Sequence, residues 1–388
     1  MKTAMETIKP SHNILPRYLL VALFARLADE GVRVAFILLA LDRAAGVAFG
    51  GLLVATILVP HVVAAPAVGV LADRTRARSA FYAAALATYG GTIALCGVLI
   101  GRVPAPVVLL IAAAGGCISP LVTGGLTALL SDLVPAARLE RAYGLDVASY
   151  NVAAIGAPAL TALLAATLGP AAATFTLAAS ACGGVLLLYT LPIPRRDDGS
   201  DRSHPPVTRV IAVLWRDPIL QAATLSSSLG QIGAGALPLA AALLASQHHA
   251  AAAGVLLSAS AVGALLGSLG YARRPIGRAT PERLIVGCLL ATALPLVIVP
   301  SAPSFAFALA LFAVSGTFSG PLGSAQFVVR ERQAPAEVRT QVFTLGAGLK
   351  VTAAALGAGL AGLGAPLGAD DLLLTIAGCY LLAGGTGC

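Results

Sequence analysis

The sequence predicts an all-α integral membrane protein, with twelve transmembrane helices arranged as two six-helix pseudo-symmetric bundles. Three observations predict this fold class: the apolar composition, the number of span-length segments and an internal repeat. Of the 388 residues, 58% are hydrophobic and only 11% are charged, whereas a soluble domain carries about 25% charged residues. Because so few charges cannot cover a globule in water, we expect lipid to be the solvent.

Twelve apolar segments approach the length of about 20 residues that a helix needs to cross a bilayer. They lie at 16–41, 46–71, 79–101, 105–132, 142–168, 170–193, 218–245, 250–271, 282–300, 304–329, 338–364 and 371–388. A polar stretch divides them into two groups of six. The predicted domains are therefore an N-terminal bundle over 1–193, a cytoplasmic linker over 194–217 and a C-terminal bundle over 218–388.

The lysine and arginine residues predict the orientation of the chain. They are concentrated at the N-terminus and after spans 2, 4, 6, 8 and 10, whereas the opposite side holds only Arg43 and Arg102. The positive-inside rule then places both termini in the cytoplasm. With the Ala-, Gly- and Arg-rich composition, we expect a multi-pass protein of the bacterial inner membrane. The net charge of +8 thus indicates orientation and not nucleic-acid binding.

The two halves of the sequence resemble each other at an offset of about 200 residues. SPLVTGGLTALLSDLVPAAR at 119–138 is similar to GPLGSAQFVVRERQAPAEVR at 320–339, and each begins with a small residue followed by proline, Pro120 or Pro321. Internal repeats of this size are typical of secondary transporters, whose sites lie near the membrane midplane between the repeats.

The segment GVLADRTRAR, which follows the second span, resembles the G-x-x-x-D-R-x-G-R-R loop motif of the major facilitator superfamily. The matching residues are Gly69, Asp73, Arg74 and Arg78, and Asp132 lies where a family carboxylate usually pairs with a motif arginine. The resemblance implies the major facilitator fold and transport by alternating access, of the multidrug-efflux, drug–proton antiporter type. The span-4 arginine and the intact G-P-x-x-G-G motif of those antiporters are absent from the sequence.

The loop motif predicts contacts that close the cytoplasmic side. Asp73 can accept hydrogen bonds from a neighbouring helix N-terminus, where the backbone N–H groups favour an anion. Arg74 and Arg78 can bridge to Asp132; alternatively, these arginines only determine topology. The predicted cytoplasmic gate comprises Gly69, Asp73, Arg74, Arg78, Asp132 and Asp146.

The first span carries four charges, Arg26, Asp29, Glu30 and Arg33. At 100° per residue they share one face. Because a charge facing lipid costs on the order of 2.5–3.5 kcal/mol, we expect this face to line the central cavity. Burial favours the protonated carboxyl, whereas a neighbouring arginine favours the carboxylate. This competition suits proton coupling, by Glu30 first and Asp29 second. Alternatively, i,i+4 pairing of Arg26 with Glu30 and of Asp29 with Arg33 is structural.

A further charge, Lys350, lies halfway along the eleventh span, and its repeat-related position falls near Asn151, next to Tyr150. Gln231, Gln326 and His61 are weaker candidates, because a lone glutamine or histidine in a membrane helix is more often a helix-packing contact. The predicted substrate-binding residues are Arg26, Arg33, Asn151, Tyr150, Gln231, Gln326 and Lys350.

The sequence contains no nucleotide-binding loop, catalytic triad or metal-ligand spacing, so we predict neither an enzyme nor a metal or cofactor; the proton gradient supplies the energy. The predicted function is proton-coupled export of small lipophilic or cationic compounds, that is, multidrug efflux. We expect an amphiphilic or cationic substrate, a surrounding lipid bilayer and a monomer. The alternative is a proton-coupled importer of an anionic metabolite, held by Arg26, Arg33 and Lys350. A membrane sensor is disfavoured because the longest polar loop is too short to fold.

Overall fold

The structure is a computed structural model that describes residues 14–43, 45, 47–194, 207–246, 252–276 and 279–386. Within these ranges the chain is helical, without strands. Twelve helices correspond to the predicted spans: α1 Ile14–Asp42, α2 Val47–Arg74, α3 Arg78–Leu99, α4 Ala105–Leu133, α5 Ala136–Leu168, α6 Pro170–Leu188, α7 Pro218–Ser246, α8 Ala252–Arg273, α9 Pro281–Ile298, α10 Phe305–Gln333, α11 Arg339–Gly364 and α12 Ala369–Gly385. A linker helix, Val207–Arg216, precedes α7. The predicted fold class is confirmed.

Nine helices of the described residues are long and apolar enough to cross a membrane, and α2 is a tenth if its two segments count as one span. The segments of α2, Phe49–His61 and Val63–Arg74, meet at an angle of 49°. Pro60 and Pro66 explain this bend, because each removes a backbone donor from the helix. The remaining two helices do not meet the length and composition criteria for a span. Helix α1 is rich in charged residues, and α12 is 17 residues long.

The helix packing repeats between the halves. In the first half α1 packs on α5 and α6, α2 on α4, and α3 on α6; in the second half α7 packs on α11 and α12, α8 on α10, and α9 on α12. Between the halves, α2 packs on α11 and α5 packs on α8. Each contact has a counterpart six helices later, as a pseudo-twofold axis requires. The residue at which each domain begins and ends stays a prediction, and 195–206 of the linker lie outside the described residues.

The equivalent helices α4 and α10 are both interrupted. In α4 a π-helical turn, Leu121–Gly125, follows Pro120, and α10 breaks between its segments Phe305–Thr317 and Ser319–Gln333. These breaks fall where the sequence repeat begins, so the repeat seen in the sequence is also a repeat of backbone shape.

Candidate functional site

The end of the bundle that carries the loops after α2, α4, α8 and α10 is called the basic end. Here Asp73 accepts a hydrogen bond from the backbone N–H of Gln341, 3.1 Å away in the first turn of α11. The helices approach closely because Gly69 has no side chain: a Cβ there would lie 2.7 Å from the Cα of Gln341. This contact joins the two halves, as the sequence predicts for Asp73.

Further polar contacts hold the basic end. Arg78 forms an ion pair of 2.6 Å with Asp132 inside the first half, which is the predicted pairing, whereas Arg74 is exposed. Across the halves, Arg332 pairs with Glu140 at 3.0 Å. Arg339 on α11 adds a hydrogen bond of 3.1 Å to Ser131 on α4. The basic end is therefore closed in this structure.

Three aromatic rings pack together beneath the polar contacts of the basic end. Tyr143 of α5 lies against Phe327 of α10 and Phe343 of α11, with ring centres 5.7 and 6.2 Å away, and the two phenylalanines are 5.8 Å apart. Because Tyr143 belongs to the first half and the phenylalanines to the second, this aromatic cluster also joins the halves.

Arg26 of α1 is buried in a polar network inside the first half. Its guanidinium pairs with Asp146 at 2.8 Å, donates hydrogen bonds to Ser149 and Thr127, and lies 3.4 Å from the ring centre of Tyr150. Arg26 thus pairs with Asp146, 120 residues away in the sequence, and does not form the i,i+4 pair with Glu30 that was one expectation.

Asp146 is likewise enclosed within the first half. It is fully buried and accepts hydrogen bonds from Tyr18, at 2.7 Å, and Thr127, at 2.9 Å. These partners lie on α1 and α4. The geometry favours a structural role for Arg26 and Asp146 over the predicted roles in substrate binding and gating.

Arg33 is shared by the two carboxylates of α1. It lies 3.2 Å from Asp29 and 2.9 Å from Glu30. Asp29 also accepts hydrogen bonds from Tyr89, at 2.8 Å, and from Ser119, at 2.7 Å. One arginine between two acids leaves one negative charge in excess, which the binding of one proton would neutralise.

His61 of α2 extends the hydrogen-bond network of Asp29. Its Nδ1 lies 3.0 Å from the hydroxyl oxygen of Ser119, while its Nε2 is buried without a hydrogen-bond partner among the described residues. His61 is only 3% exposed. This link to Asp29 is not predicted from the sequence, in which His61 is a weaker candidate with helix packing as the alternative.

A cavity of about 130 Å³ lies in the second half, between α7, α9, α10, α11 and α12. Three of the predicted substrate-binding residues line it together, Gln231, Gln326 and Lys350. Ser227 and Tyr380 also contribute to its wall. The other predicted substrate residues are elsewhere: Arg26, Arg33 and Tyr150 in the networks of the first half, and Asn151 3.4 Å from Ser268 of α8.

Two cations face this region without a carboxylate partner. Arg330 is 2% exposed, and its guanidinium makes a long contact of 3.5 Å to the cavity residue Ser227. Lys350 is half-buried, with its ammonium 5.5 Å from the ring centre of Phe327. In the part of the chain that the structure describes, neither cation forms an ion pair with an acidic side chain.

The position of Arg330 differs from the sequence prediction, which places this residue among the loop cations of the cytoplasmic side. The structure places it inside α10, one helical turn after Gln326. Its spacing of four residues from Gln326 was the available signal, because both side chains then share a helix face. The run of charges that follows it concealed that signal.

Comparisons with known proteins agree with this architecture. The profile of the Major Facilitator Superfamily matches residues 18–384. An uncharacterized MFS-type transporter, y4rN, of Sinorhizobium fredii is 31% identical over 242 residues; the match covers 61% of this chain and 59% of that protein, less than two thirds of its length.

Solved structures show the same fold. A bacterial homologue of the iron transporter ferroportin, in an outward-facing state, has a TM-score of 0.76 at 17% identity, covering 96% of this chain and 98% of that one. The E. coli fucose:proton symporter FucP has a TM-score of 0.74 at 15% identity, covering 97% and 98%. The human organic anion transporter MFSD10 has a TM-score of 0.68 at 16% identity, covering 98% and 100%. The family profile covers most of the chain, and this chain therefore belongs to the Major Facilitator Superfamily, with the fold of a multi-pass membrane protein.

Proposed function

We propose that this transporter carries a small substrate with an anionic group by proton-coupled alternating access, and binds that group in the cavity of the second half. The observation that carries the proposal is the pair of cations, Arg330 and Lys350, that face this cavity region without a carboxylate partner among the described residues. This favours the anionic-substrate alternative over the export of lipophilic cations.

The free-energy cost of an uncompensated buried charge favours an anion in this cavity. A charge removed from water without a partner is strongly unfavourable, and the two cations also repel each other. An anionic group in the cavity relieves both penalties. Gln231, Gln326 and Ser227 line the same cavity and offer hydrogen bonds that orient the rest of the substrate.

A cationic substrate has less favourable partners. Asp29 and Glu30 are both engaged by Arg33, and Asp146 is engaged by Arg26. A lipophilic cation must therefore displace an arginine before it reaches a carboxylate, and it gains nothing from the second half, where the cavity carries positive charge.

Proton coupling is assigned to the cluster of Asp29, Glu30 and Arg33. Its excess negative charge is neutralised when one carboxyl takes a proton. The cluster in the first half takes one proton, and the cavity in the second half takes one negative charge. The net charge buried in the protein therefore stays the same. We infer symport of the two, with both sites loaded before the halves rock and without a cofactor.

The test is a binding titration by calorimetry on the purified transporter in detergent. The probes are succinate, inorganic phosphate and benzenesulfonate as anions, benzenesulfonamide as the neutral analogue, and benzyltrimethylammonium and tetraphenylphosphonium as cations. We expect saturable binding of at least one anion, lost in Lys350→Met and retained in Arg273→Gln, an exposed arginine of the basic end. Binding of no anion, or of a cation alone, contradicts the proposal.

A further inference from the structure

We propose that His61 is the group through which the coupling proton enters, taking a proton at Nε2 and passing one from Nδ1 through Ser119 to Asp29. This inference rests on the proposed function, because it assigns the route of the same coupling proton. The observation that carries it is a continuous chain of hydrogen bonds, 3.0 Å from His61 to Ser119 and 2.7 Å from Ser119 to Asp29.

The direction of the hydrogen bonds follows from the number of available hydrogens. A carboxylate only accepts, so Tyr89 and Ser119 both donate to Oδ1 of Asp29. Ser119 has a single hydrogen, and its oxygen must then accept from His61. Nδ1 of His61 therefore carries the hydrogen, and Nε2 keeps a free lone pair. Nε2 is the buried ring atom that has no hydrogen-bond partner among the described residues. Its free lone pair can accept a proton.

The transfer balances atom by atom. A proton from water binds Nε2 of His61; the Nδ1 hydrogen moves to the oxygen of Ser119; and the former hydroxyl hydrogen of Ser119 moves to Oδ1 of Asp29. One proton enters and the charge of the network rises by one. Every hydrogen bond of the chain survives in the reversed direction, with Ser119 donating to Nδ1 and protonated Asp29 donating to Ser119.

The surrounding charges favour Asp29 as the carboxyl that receives the proton. The charged side chains that act on His61 are Asp29 and Arg33 of α1. Of the other helices packed on α2, α4 contributes Ser119, and α11 carries Lys350 as its ionisable residue within the membrane. Arg33 lies closer to Glu30, at 2.9 Å, than to Asp29, at 3.2 Å. Once Asp29 is neutral, Arg33 and Glu30 remain as a balanced pair.

The position of His61 connects this route to the motion of the halves. It ends the first segment of α2, at the 49° bend, and α2 packs on α11 of the other half. Rocking of the halves changes that packing, so access of water to Nε2 changes with the conformational state. A proton entry group that is open in one state and closed in the other is what coupled transport requires.

The route is tested by time-resolved infrared spectroscopy after a light-triggered pH jump on the purified transporter without substrate. We expect a carboxylic-acid band that Asp29→Asn removes. Ser119→Ala and His61→Gln slow its appearance by about a hundredfold, because a positioned proton-transfer group contributes roughly 10²–10⁴-fold. Ser119→Thr keeps the hydroxyl and the rate. Thr92→Val is the matched control, since among the described residues the Thr92 hydroxyl bonds only its own helix, at the carbonyl of Thr88.

An unchanged rate in Ser119→Ala, or a wild-type protein without the Asp29 band, overturns the route. A second measurement is made on the wild-type protein and does not depend on proton transfer in a variant. ¹⁵N nuclear magnetic resonance reports the tautomers of the five histidines, and the signal of His61 is identified by its loss in His61→Gln. The Nδ1–H tautomer is expected at high pH, and the Nε2–H tautomer contradicts the inference. Anion titration of the wild-type protein separates the two proposals. If the wild type binds no anion but shows the Asp29 band, and Ser119→Ala slows that band as expected, only the proposed substrate class is contradicted.

Discussion

The ammonium of Lys350 lies 5.5 Å from the centre of the Phe327 ring. Phe327 belongs to the aromatic cluster that joins the halves near the basic end, and Lys350 lines the cavity. The ammonium of Lys350 thus belongs both to the wall of the cavity and to a contact with the aromatic cluster that joins the halves. Because an anion competes with the ring for the ammonium, binding in the cavity directly changes a contact of the closed end.

Replacing Gly346 by alanine is expected to weaken anion binding through Arg330. A Cβ at Gly346 would lie 2.7 Å from the guanidinium carbon of Arg330, so the guanidinium must move. Since hydrogen bonds to charged groups contribute about 1.5–3 kcal/mol, affinity should fall by about tenfold or more. Titration with the anion probes measures this fall. Gly359→Ala, in the same helix and with nothing within 4 Å of its Cβ position, is the matched control; an equal affinity in both variants contradicts the role of Arg330.

Replacing Gly69 by valine is expected to open the basic end. The new side chain meets the backbone of Gln341, where even a Cβ would lie 2.7 Å from Cα. Electron–electron distance measurements between spin labels at Arg138 and Gln333, in a background without other cysteines, should show a longer distance. Gly51→Val, in the same helix with nothing within 4 Å of its Cβ position, should leave the distance unchanged. A shift in both variants points to damage of α2 and not to the gate.

The charge of Asp73 is expected to favour the closed basic end. Asp73→Asn still accepts the hydrogen bond from Gln341, but without the charge that makes the bond about twice as strong. We expect the population with an open basic end to rise about fivefold, for a loss of about 1 kcal/mol. The same spin-label pair reports this population. Asp370→Asn, at an exposed position of α12, is the control, and equal populations for Asp73→Asn and wild type argue against the gate assignment.

Breaking the pair of Arg26 and Asp146 is expected to reduce stability more than affinity. Arg26→Met leaves Asp146 buried without its cation, which costs about 3–5 kcal/mol in soluble proteins. Thermal unfolding in detergent should show a clear decrease in Tm, partly recovered in the double variant Arg26→Met/Asp146→Leu. The folded protein should still bind the anion probes. Unchanged Tm with lost affinity instead supports the sequence prediction that Arg26 binds substrate.

The fold was predictable from the sequence because the bilayer imposes strict rules on length, composition and loop charge. The contacts of Asp73 and of Arg78 with Asp132 were predictable because the motif places them at helix ends. The partner of Arg26 was not: two acids, Asp29 and Glu30, lie within one turn along the chain, whereas the actual partner comes from another helix.

The contacts of Arg330 and His61 in the candidate site were likewise not predictable from the local sequence. A residue's neighbours across a helix interface depend on rotation and tilt of both helices, which a hydrophobic pattern determines only roughly. The pattern of charges around Arg330 is that of a loop, and a lone histidine in an apolar helix has no local signal. Only the packing of α2 on α4 brings His61 to Ser119.

The central claim, that an anion and a proton move together, is tested most directly in proteoliposomes of phosphatidylethanolamine and phosphatidylglycerol with a pH-sensitive dye inside. The anion probe with the highest affinity is added outside at equal pH on both sides, with valinomycin and potassium to clamp the membrane potential. The account predicts internal acidification that Lys350→Met abolishes and Arg273→Gln preserves. Internal pH that responds only to benzyltrimethylammonium or tetraphenylphosphonium, and not to any anion, would contradict it and restore the exporter of lipophilic cations.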